Sequence, residues 1–355
     1  MTVRDEVAIA TAALSGDPLE EARRLLLDSG REHLGTGGPF QATVVATEER
    51  PESTLRRIRL TDGVRIRHFY LKTLRATAVT RAEQLAAVTA EYRVLRHLHE
   101  RFVPLAPLAV VKPIACLPEC LSLLTEEAAG RRLNLVLSAA SPLRPSRQLR
   151  RHEDLCRLAG EWLRHFHSIM ATTGRYDVSE IFGYCEARLQ LILSRPGGGL
   201  DLDTALVIER HVRRLASRVT PAELELVGRH NDFRPENMLT DGRGLTVLDF
   251  TGFTSGPRLY DFMKFWLKVE NLSQGLLPRR RRAAALQGAF RDGYGSAADP
   301  RSPLAELLRV AYAVDKISEA VDPALPRPPW SRRLVMAHWY RSQRQWLCRV
   351  AQGDA

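Results

Sequence analysis

Apolar residues follow two different periods along the chain, and the change of period divides the chain into a strand-rich part and a helix-rich part. From residue 40 to residue 126 they alternate in short runs bounded by turn residues, which is typical of β-strands. Beyond Gly130 they recur at helical spacing over longer stretches. The pattern predicts strands at residues 40–47, 54–60 and 64–74, and two more within residues 109–126. It predicts helices at residues 80–99, 153–170, 184–193, 204–218, 280–294 and 304–320.

These elements predict an α+β protein of two unlike lobes that follow a helical extension. Residues 1–38 form the extension, in which Asp17 and Pro18 open an apolar-periodic run. Residues 39–128 form a small β-rich lobe with one main helix, and residues 129–355 form a larger, mainly helical lobe. Within the larger lobe, residues 227–250 are the exception and are predicted as loop and strand.

The composition is that of a globular protein in a reducing compartment. Of the 355 residues 45% are hydrophobic, enough for a sizeable core. The five cysteines are scattered and form no CxxC pair. The acidic N-terminus lacks the apolar core of a signal peptide, and prolines break the most apolar stretch, residues 103–124. We therefore expect a cytoplasmic protein without a membrane span.

The formal net charge of +11 comes from arginine, since only five of the 52 basic residues are lysine. A basic balance is compatible with nucleic-acid binding, but no RNP-like motif, zinc knuckle or helix-turn-helix signature accompanies it. We interpret the basic run at residues 279–282 as the solvated start of a helix. The lysines are more informative, because a compact ammonium and a guanidinium are not interchangeable at a phosphate.

Lys72 lies on the predicted strand 64–74, on the same side as Val64, Ile66, Tyr70 and Leu74. A lysine on an apolar strand face needs a partner, because an unpaired buried ammonium is costly. The alternative is a lysine at the strand end that extends to water. The strand pattern leaves both interpretations open.

The predicted helix 80–99 offers Lys72 a partner. Its apolar stripe consists of Leu85, Val88, Tyr92, Leu95 and Leu98. Glu91 falls inside this stripe, where a carboxylate is unusual and needs pairing. Glu83 is the competing acid, but it lies off the stripe. We therefore predict an ion pair between Lys72 and Glu91, the arrangement that kinases use to hold the phosphates of the donor.

The segment from His230 to Asp249 carries the most specific chemistry. Asp232 can orient an attacking hydroxyl and accept its proton, and Asn237 and Asp249 offer hard oxygen ligands for Mg²⁺. Each of these residues is also ordinary turn chemistry or a strand-end cap. That alternative explains the residues singly but not the joint spacing His-x-Asp-x4-Asn, followed by Asp twelve residues later.

The spacing resembles the catalytic and metal-binding loops of the kinase superfamily, with the closest likeness to the aminoglycoside phosphotransferase and choline kinase family. The resemblance spans roughly residues 40–295 and implies the two-lobed protein-kinase-like fold. It implies ATP and Mg²⁺ as cofactors and a small-molecule hydroxyl as acceptor. Asp232 would then be the catalytic base, with Asn237 and Asp249 as metal ligands.

The resemblance also implies roles for residues outside the catalytic segment. The end of the predicted strand before Gly130 would receive the adenine ring on its backbone, which makes Glu126 and Ala128 cofactor-binding candidates. His230, His167 and Asp261 would brace the catalytic segment by hydrogen bonds, as structural rather than catalytic residues.

One departure from the family concerns the glycine-rich turn that usually covers the donor phosphates. The turn between the first two predicted strands, residues 48–53, contains no glycine. The glycines at residues 35–38 precede the first predicted strand, so they form a linker unless the strand assignment is displaced by one strand. The departure motivates an alternative function, a catalytically degenerate kinase that binds a nucleotide or a partner.

The predicted function is therefore an ATP-dependent phosphotransferase that acts on a hydroxyl of a small molecule. Arginines interleaved with Trp330, Trp339 and Trp346 in the last part of the chain favour a saccharide or an anionic metabolite over a polycationic antibiotic as the acceptor. A basic nucleic-acid-binding protein is the lesser alternative.

Overall fold

The computed structural model describes residues 16–75, 80–139, 146–195, 200–272, 280–322 and 340–350. The chain divides into two compact units. The first comprises Met1–Ala129 and Thr246–Thr251, and the second comprises Gly130–Leu245 and Gly252–Ala355. Of the predicted helical extension, the part before residue 16 lies outside the described residues, as do Trp330 and Trp339.

The described elements mix strands and helices throughout the chain. The strands are β1 Gln41–Glu49, β2 Ser53–Thr61, β3 Ile66–Leu74, β4 Leu108–Val110, β5 Pro113–Leu117, β6 Ser122–Glu126, β7 Arg131–Arg132, β8 Ala171–Arg175, β9 Glu225–Arg229, β10 Met238–Thr240, β11 Leu245–Val247 and β12 Thr254–Pro257. The helices are α1 Pro18–Asp28, α2 Gly30–Leu34, α3 Arg81–Phe102, α4 Leu133–Ser138, α5 Ser146–Ile169, α6 Ser179–Leu193, α7 Leu202–Ala216, α8 Leu259–Leu272, α9 Arg280–Tyr294 and α10 Pro303–Val321. Residues 340–350 are also helical.

The first unit is built on a five-stranded antiparallel sheet in the order β1-β2-β3-β6-β5. Helix α1 covers one face of this sheet. Ala22 and Leu26 of α1 are fully buried there, in one apolar cluster with Phe69 and Leu71 of β3. The side chain of Asp17 caps the helix by accepting a hydrogen bond from the backbone of Leu19 at 2.9 Å.

The sheet corrects the expected apolar face of β3. The predicted face contained Val64 and Ile66, but these are 89% and 54% exposed, and Val64 precedes the strand. The buried side chains are Phe69 and Leu71 on the opposite face, because that is the face that α1 covers. Lys72 therefore lies on the opposite face from the core of the sheet.

Helix α3 begins with a capping box, in which Thr80 accepts from the backbone of Glu83 and the Glu83 carboxylate accepts from the backbone of Thr80. Glu83 thus has a structural task at the helix end. The buried face contains Val88, Glu91 and Leu95 as expected, but Leu85 is 40% exposed. Gln84 is buried in its place, where its side-chain amide donates to the carbonyl of Arg75 at 2.6 Å.

The second unit is held by long helices that approach one another closely. Helices α5 and α9 pack together at two glycines, Gly160 and Gly293. A Cβ atom at Gly160 would lie 2.1 Å from the Phe290 carbonyl oxygen, and one at Gly293 would lie 2.1 Å from the Arg157 carbonyl oxygen. The absence of both side chains therefore permits the contact.

The second unit is less purely helical than the sequence predicts, although the α+β fold class is confirmed. Strands β8, β9 and β12 form an antiparallel sheet in the order β12-β9-β8, and of these only β9 falls in the region predicted as strand. Helix α8 was not predicted, although its polar residues Lys264 and Lys268 recur at helical spacing. None of the helices in the described residues is both long and apolar enough to cross a membrane.

Candidate active site

The first cluster of the candidate site lies in residues 230–237, which follow β9 and which we name the catalytic loop after the role predicted for Asp232. The loop ends in a single 3-10 turn at Pro235–Asn237. Asn231 adopts a left-handed conformation with φ of 68°, which asparagine tolerates better than most residues. This backbone brings the side chains of Asp232 and Asn237 into contact within the second unit.

Asp261 of helix α8 fixes the start of the catalytic loop. Its carboxylate accepts from the backbone N–H of His230 at 2.7 Å and from that of Asn231 at 2.9 Å. The Nε2 atom of His167 lies 3.5 Å from the same carboxylate, and its Nδ1 atom lies 2.8 Å from the Tyr294 hydroxyl. The carboxylate is therefore surrounded by donors, and the geometry is that of a brace for the loop.

Burial has opposite effects on the two partners in this brace. Asp261 is 1% exposed, and this burial alone would raise the pKa of its carboxyl group, but the nearby His167 and the hydrogen bond from the His230 backbone outweigh it and lower the pKa below the ordinary value. Burial lowers the pKa of His167 despite the nearby carboxylate. The brace therefore favours an ionised Asp261 with a neutral His167.

Phe233 anchors the middle of the loop to the core of the second unit. Its ring is fully buried and stacks on Trp162 of α5 at 5.5 Å between centroids. It also contacts Phe265 of α8 at 5.7 Å and the His230 ring at 6.0 Å. The polar residues on either side of Phe233 are therefore held on a rigid aromatic support.

Asp232 is in contact with an amide and two cations. The side-chain nitrogen of Asn237 donates to the Asp232 carbonyl at 3.0 Å and to its Oδ2 atom at 2.8 Å. The Nε atom of Arg234 lies 2.8 Å from Oδ2, whereas Nζ of Lys264 lies 3.5 Å from Oδ1. Among the described residues Oδ1 is thus the less crowded oxygen, and it is the better placed to meet a hydroxyl.

The second cluster lies in the first unit around Lys72. Its ammonium contacts the Glu91 carboxylate at 3.2 and 3.3 Å and Asp249 Oδ1 at 2.9 Å. It also donates to the hydroxyl of Thr251, which lies 3.1 Å from Glu91 Oε2 and 2.7 Å from Asp249 Oδ1. The structure thus brings together three of the residues singled out in the sequence.

The two carboxylates hold Lys72 in its charged form. Burial alone would lower the pKa of Lys72, but Glu91 and Asp249 together raise it above the ordinary value. Asp249 has a φ of 65°, a left-handed conformation that a short polar residue adopts more readily than an apolar one. The following side chain, Phe250, is completely buried and fixes this turn.

The predicted adenine-binding segment lies at the end of β6. The backbone N–H of Glu126 donates to the Lys112 carbonyl at 2.9 Å, and its carboxylate pairs with Lys112 at 3.2 Å. The next residue, Glu127, contacts Arg57 at 2.7 Å. Ala128 is half-buried. These contacts fix the path of the backbone, and the binding roles of Glu126 and Ala128 stay predictions.

Asn237 in the second unit and Asp249 in the first each offer an oxygen atom of the kind that a magnesium ion prefers. The Asn237 nitrogen donates to the backbone carbonyl and to the Oδ2 atom of Asp232, so the amide oxygen takes no part in these contacts and can act as a ligand. The described residues contain no group of three His, Cys, Asp or Glu that could hold a metal alone. Magnesium ions in proteins commonly take one or two such oxygens and complete their coordination with water and phosphate oxygens.

The strand order shows where the glycines at residues 35–38 lie relative to the sheet. Strand β1 begins at Gln41 and is the first strand of the sheet, so Gly35, Gly37 and Gly38 precede it. Gly35 ends helix α2 with φ of 69°. The β1–β2 turn instead closes with a hydrogen bond from the Arg50 backbone to the Ser53 carbonyl at 2.8 Å. These glycines therefore form a linker before the sheet.

Three residues of the two clusters were not predicted as site residues. Lys264 contacts Asp232 through the tertiary structure, whereas Arg234 and Thr251 lie two residues from the predicted residues Asp232 and Asp249 that they contact. For Lys264 a signal was present, since it lies three residues after Asp261 on one helix and so shares a helical face with it. For Thr251 and Arg234 the only signal in the sequence is that they lie close to Asp249 and Asp232, since no periodic pattern includes them.

Comparisons with known proteins place the chain in a family. Residues 52–307 match the model of the phosphotransferase enzyme family. No curated protein sequence matches the chain. The matched range contains both clusters, from Lys72 to Asp261.

Solved structures with the same fold are distant in sequence. A Ralstonia eutropha JMP134 protein assigned to the aminoglycoside phosphotransferases has a TM-score of 0.57 at 15% identity, over 93% of this chain and 98% of the other. A glucosamine kinase has a TM-score of 0.53 at 14% identity, over 95% and 98%. The structure of amicoumacin kinase hAmiN in complex with AMP-PNP, Ca²⁺ and Ami has a TM-score of 0.51 at 14% identity, over 93% and 95%. The predicted kinase-like fold is therefore confirmed.

Proposed function

The chain belongs to the phosphotransferase enzyme family, and we propose that it transfers the γ-phosphoryl group of ATP to a hydroxyl of a small molecule. The observation that carries the proposal is the pairing of Lys72 with both Glu91 and Asp249. Burying an ammonium between two carboxylates costs free energy. A phosphate-binding role explains why the protein bears this cost better than a purely structural role does.

Asp232 acts as the base in this proposal. Its Oδ1 atom accepts the hydrogen bond of the acceptor hydroxyl and takes the proton as the oxygen bonds to the γ-phosphorus, while the bond from the γ-phosphorus to the β–γ bridging oxygen breaks and ADP leaves. Asn237, which donates to Oδ2 at 2.8 Å, fixes the rotamer of the carboxylate. Asp261 and Phe233 keep the backbone of the loop in place, so the hydroxyl is oriented with little loss of entropy at the moment of reaction.

Lys72 binds the phosphates of the donor, and Glu91 positions it. Bound Mg²⁺ would lie on the oxygens of Asn237 and Asp249 and would offset the negative charge of the phosphates. Thr251 steadies the group, because its hydroxyl contacts Lys72, Glu91 and Asp249. Glu126 and Ala128 bind the adenine ring by their backbone in this proposal. The AMP-PNP seen in amicoumacin kinase supports a nucleotide as donor.

The test compares the wild-type protein with Asp232→Asn, which keeps the shape of the side chain and removes its basicity. We expect the wild type to transfer labelled phosphate from ATP with Mg²⁺ to a member of a panel of hydroxyl compounds. The variant should lose roughly 10²- to 10⁴-fold in kcat, the usual contribution of a general base. It should still be stabilised by ATP with Mg²⁺ in thermal unfolding, since the proposed nucleotide contacts are intact.

A catalytically inactive nucleotide-binding protein is the second candidate. It is favoured by the β1–β2 turn, which has Arg50, Pro51 and Glu52 where a glycine-rich turn would cover the phosphates. In that case ATP stabilises the wild type and Asp232→Asn equally, and neither protein consumes ATP with any acceptor. A wild type that ATP does not stabilise at all would contradict both candidates.

A further inference from the structure

Three of the five lysines of this arginine-rich chain lie in the second unit near the catalytic loop. They are Lys264 and Lys268 of helix α8 and Lys316 of helix α10. Lys264 contacts Asp232 at 3.5 Å. Lys268 follows one helical turn later, about 6 Å further along the axis and on the same face of α8.

Lys268 differs from its neighbours because it has no ion pair. Lys316 contacts Asp315 at 3.3 Å and also pairs with Glu319, and Arg234 contacts Asp232. Within the described parts of the chain, no carboxylate lies within ion-pair distance of Lys268, although the residue is half-buried. A partly buried ammonium without a counter-ion is destabilising, so a ligand is a natural partner for it.

The surrounding charges strengthen the attraction of the Lys268 ammonium for an anion. Burial lowers its pKa, and the cations Arg234, Lys316 and Lys264 lower it further, whereas the carboxylate of Glu236 raises it. Glu236 does not satisfy the ammonium, because the two form no hydrogen bond, and its own buried Oε2 atom has no donor among the described residues. A negatively charged group that approached Lys268 would stabilise the charged form.

We propose that the acceptor carries a carboxylate or a phosphate group, which Lys268 binds with help from Lys264 while the acceptor hydroxyl meets Asp232. This inference rests on the proposed function, since it assigns the acceptor half of the same site. The separation of about one helical turn between Lys264 and Lys268 suits compounds in which two to four carbons separate the hydroxyl from the anionic group. Cationic amino alcohols and aminosugars would be repelled.

The test uses acceptors matched in size and different in charge. Glycerol, glycerate and glycerol 3-phosphate form one series, and ethanolamine is the cationic member. We expect the wild type to bind glycerate or glycerol 3-phosphate, measured by calorimetry, and to prefer it over glycerol in kcat/KM. Comparison of glycerate with glycerol 3-phosphate shows whether the recognised group is a carboxylate or a phosphate.

Lys268→Met removes the charge and keeps the length of the side chain. It should weaken binding of the anionic compound roughly 10- to 100-fold, as expected for one hydrogen bond to a charged group, and should raise KM more than it lowers kcat. Lys268→Arg should restore part of the affinity. Arg164→Met, on the exposed face of α5, changes the net charge equally and should bind the anion as the wild type does.

Loss of an unpaired ammonium should not lower the melting temperature of Lys268→Met, which separates the expected effect from misfolding. The inference is overturned if no anionic compound binds, or if Lys268→Met binds it as tightly as the wild type. It is also overturned if ethanolamine or glycerol is the better acceptor. Those results would leave the phosphotransferase proposal standing, because that proposal is tested by ATP binding and by Asp232→Asn.

Discussion

His152 of helix α5 shows how a single buried side chain makes the stability depend on pH. It is 2% exposed, and its Nδ1 atom lies 3.2 Å from the guanidinium of Arg282. Burial, Arg282 and Arg151 lower its pKa to about 4. In the unfolded chain the same imidazole has its ordinary pKa near 6.5, so between these two values only the unfolded state takes up the proton.

Acid should therefore destabilise the protein through His152. The free energy of unfolding should be unaffected by this residue above about pH 6.5 and should fall by about 1.4 kcal/mol per pH unit below it, reaching a loss of about 3 kcal/mol near pH 4. Denaturant unfolding of the wild type and of His152→Gln at pH 7.5, 6 and 4.5 measures it. Other groups titrate in both proteins, so the difference between the two curves isolates His152. Parallel curves would contradict the assignment.

For single residues, the sequence predicts a site role where the environment of the side chain follows from the local periodicity. Glu91 falls within an apolar helical stripe, so its need for a partner is visible without a structure. Thr251 and Arg234 meet their partners through a turn and a loop, and no period of the sequence encodes those contacts. Lys268 is a third case, because the lack of an ion pair is a property of the surroundings of a side chain.

The contact of α5 with α9 supports the aromatic residues below the catalytic loop, since Trp162 lies on α5 and Phe290 on α9. Gly160→Ala should therefore destabilise the protein. A Cβ atom 2.1 Å from the Phe290 carbonyl oxygen forces the helices apart, and overpacking of this kind typically costs about 1–3 kcal/mol. The measurement is the free energy of unfolding from denaturant titration.

Gly288→Ala is the matched control for that experiment. Gly288 lies on the same helix, α9, and a Cβ atom there would meet nothing within 4 Å. The substitution removes the same conformational freedom without a clash, so it should stabilise the helix by about 0.5–1 kcal/mol. Equal effects of Gly160→Ala and Gly288→Ala would mean that the close approach of the two helices does not contribute.

Among the elements, most of the helices and strands with a clear period were predicted, and helix α8 was the exception. Helix α9 begins and ends as predicted, and β2, β3 and α10 differ from the prediction by at most two residues at either end. Helix α8 was missed although Lys264 and Lys268 mark a polar face at helical spacing between its buried apolar residues. Its absence from the prediction matters for function, because α8 presents Asp261, Lys264 and Lys268.

At the scale of the whole molecule, the family match and the folded unit do not begin at the same residue. The match starts at residue 52, within the turn after β1. Helix α1 and strand β1 nevertheless belong to the core of the first unit, where Ala22, Leu26 and Ala42 are buried. The helical segment before the sheet is therefore part of the first unit.

The net charge of +11 is compatible with a nucleic-acid-binding protein and with a phosphotransferase. The dependence of ligand binding on salt concentration distinguishes the two. A basic surface binds nucleic acid by releasing counter-ions, and with about six phosphate contacts such binding weakens roughly 10³-fold between 50 and 200 mM salt. We expect any binding of a 20-base-pair duplex to disappear in this range, as measured by fluorescence anisotropy.

Stabilisation by ATP with Mg²⁺ should survive the same change of salt. Lys72 is 19% exposed and Glu91 is 3% exposed, and buried charges are screened much less than exposed ones. At an ATP concentration of about 100 times Kd, binding should add about 2.7 kcal/mol to the stability at either salt concentration. A thermal shift that vanishes at 200 mM salt, together with duplex binding that persists, would contradict the phosphotransferase proposal and favour a nucleic-acid-binding protein.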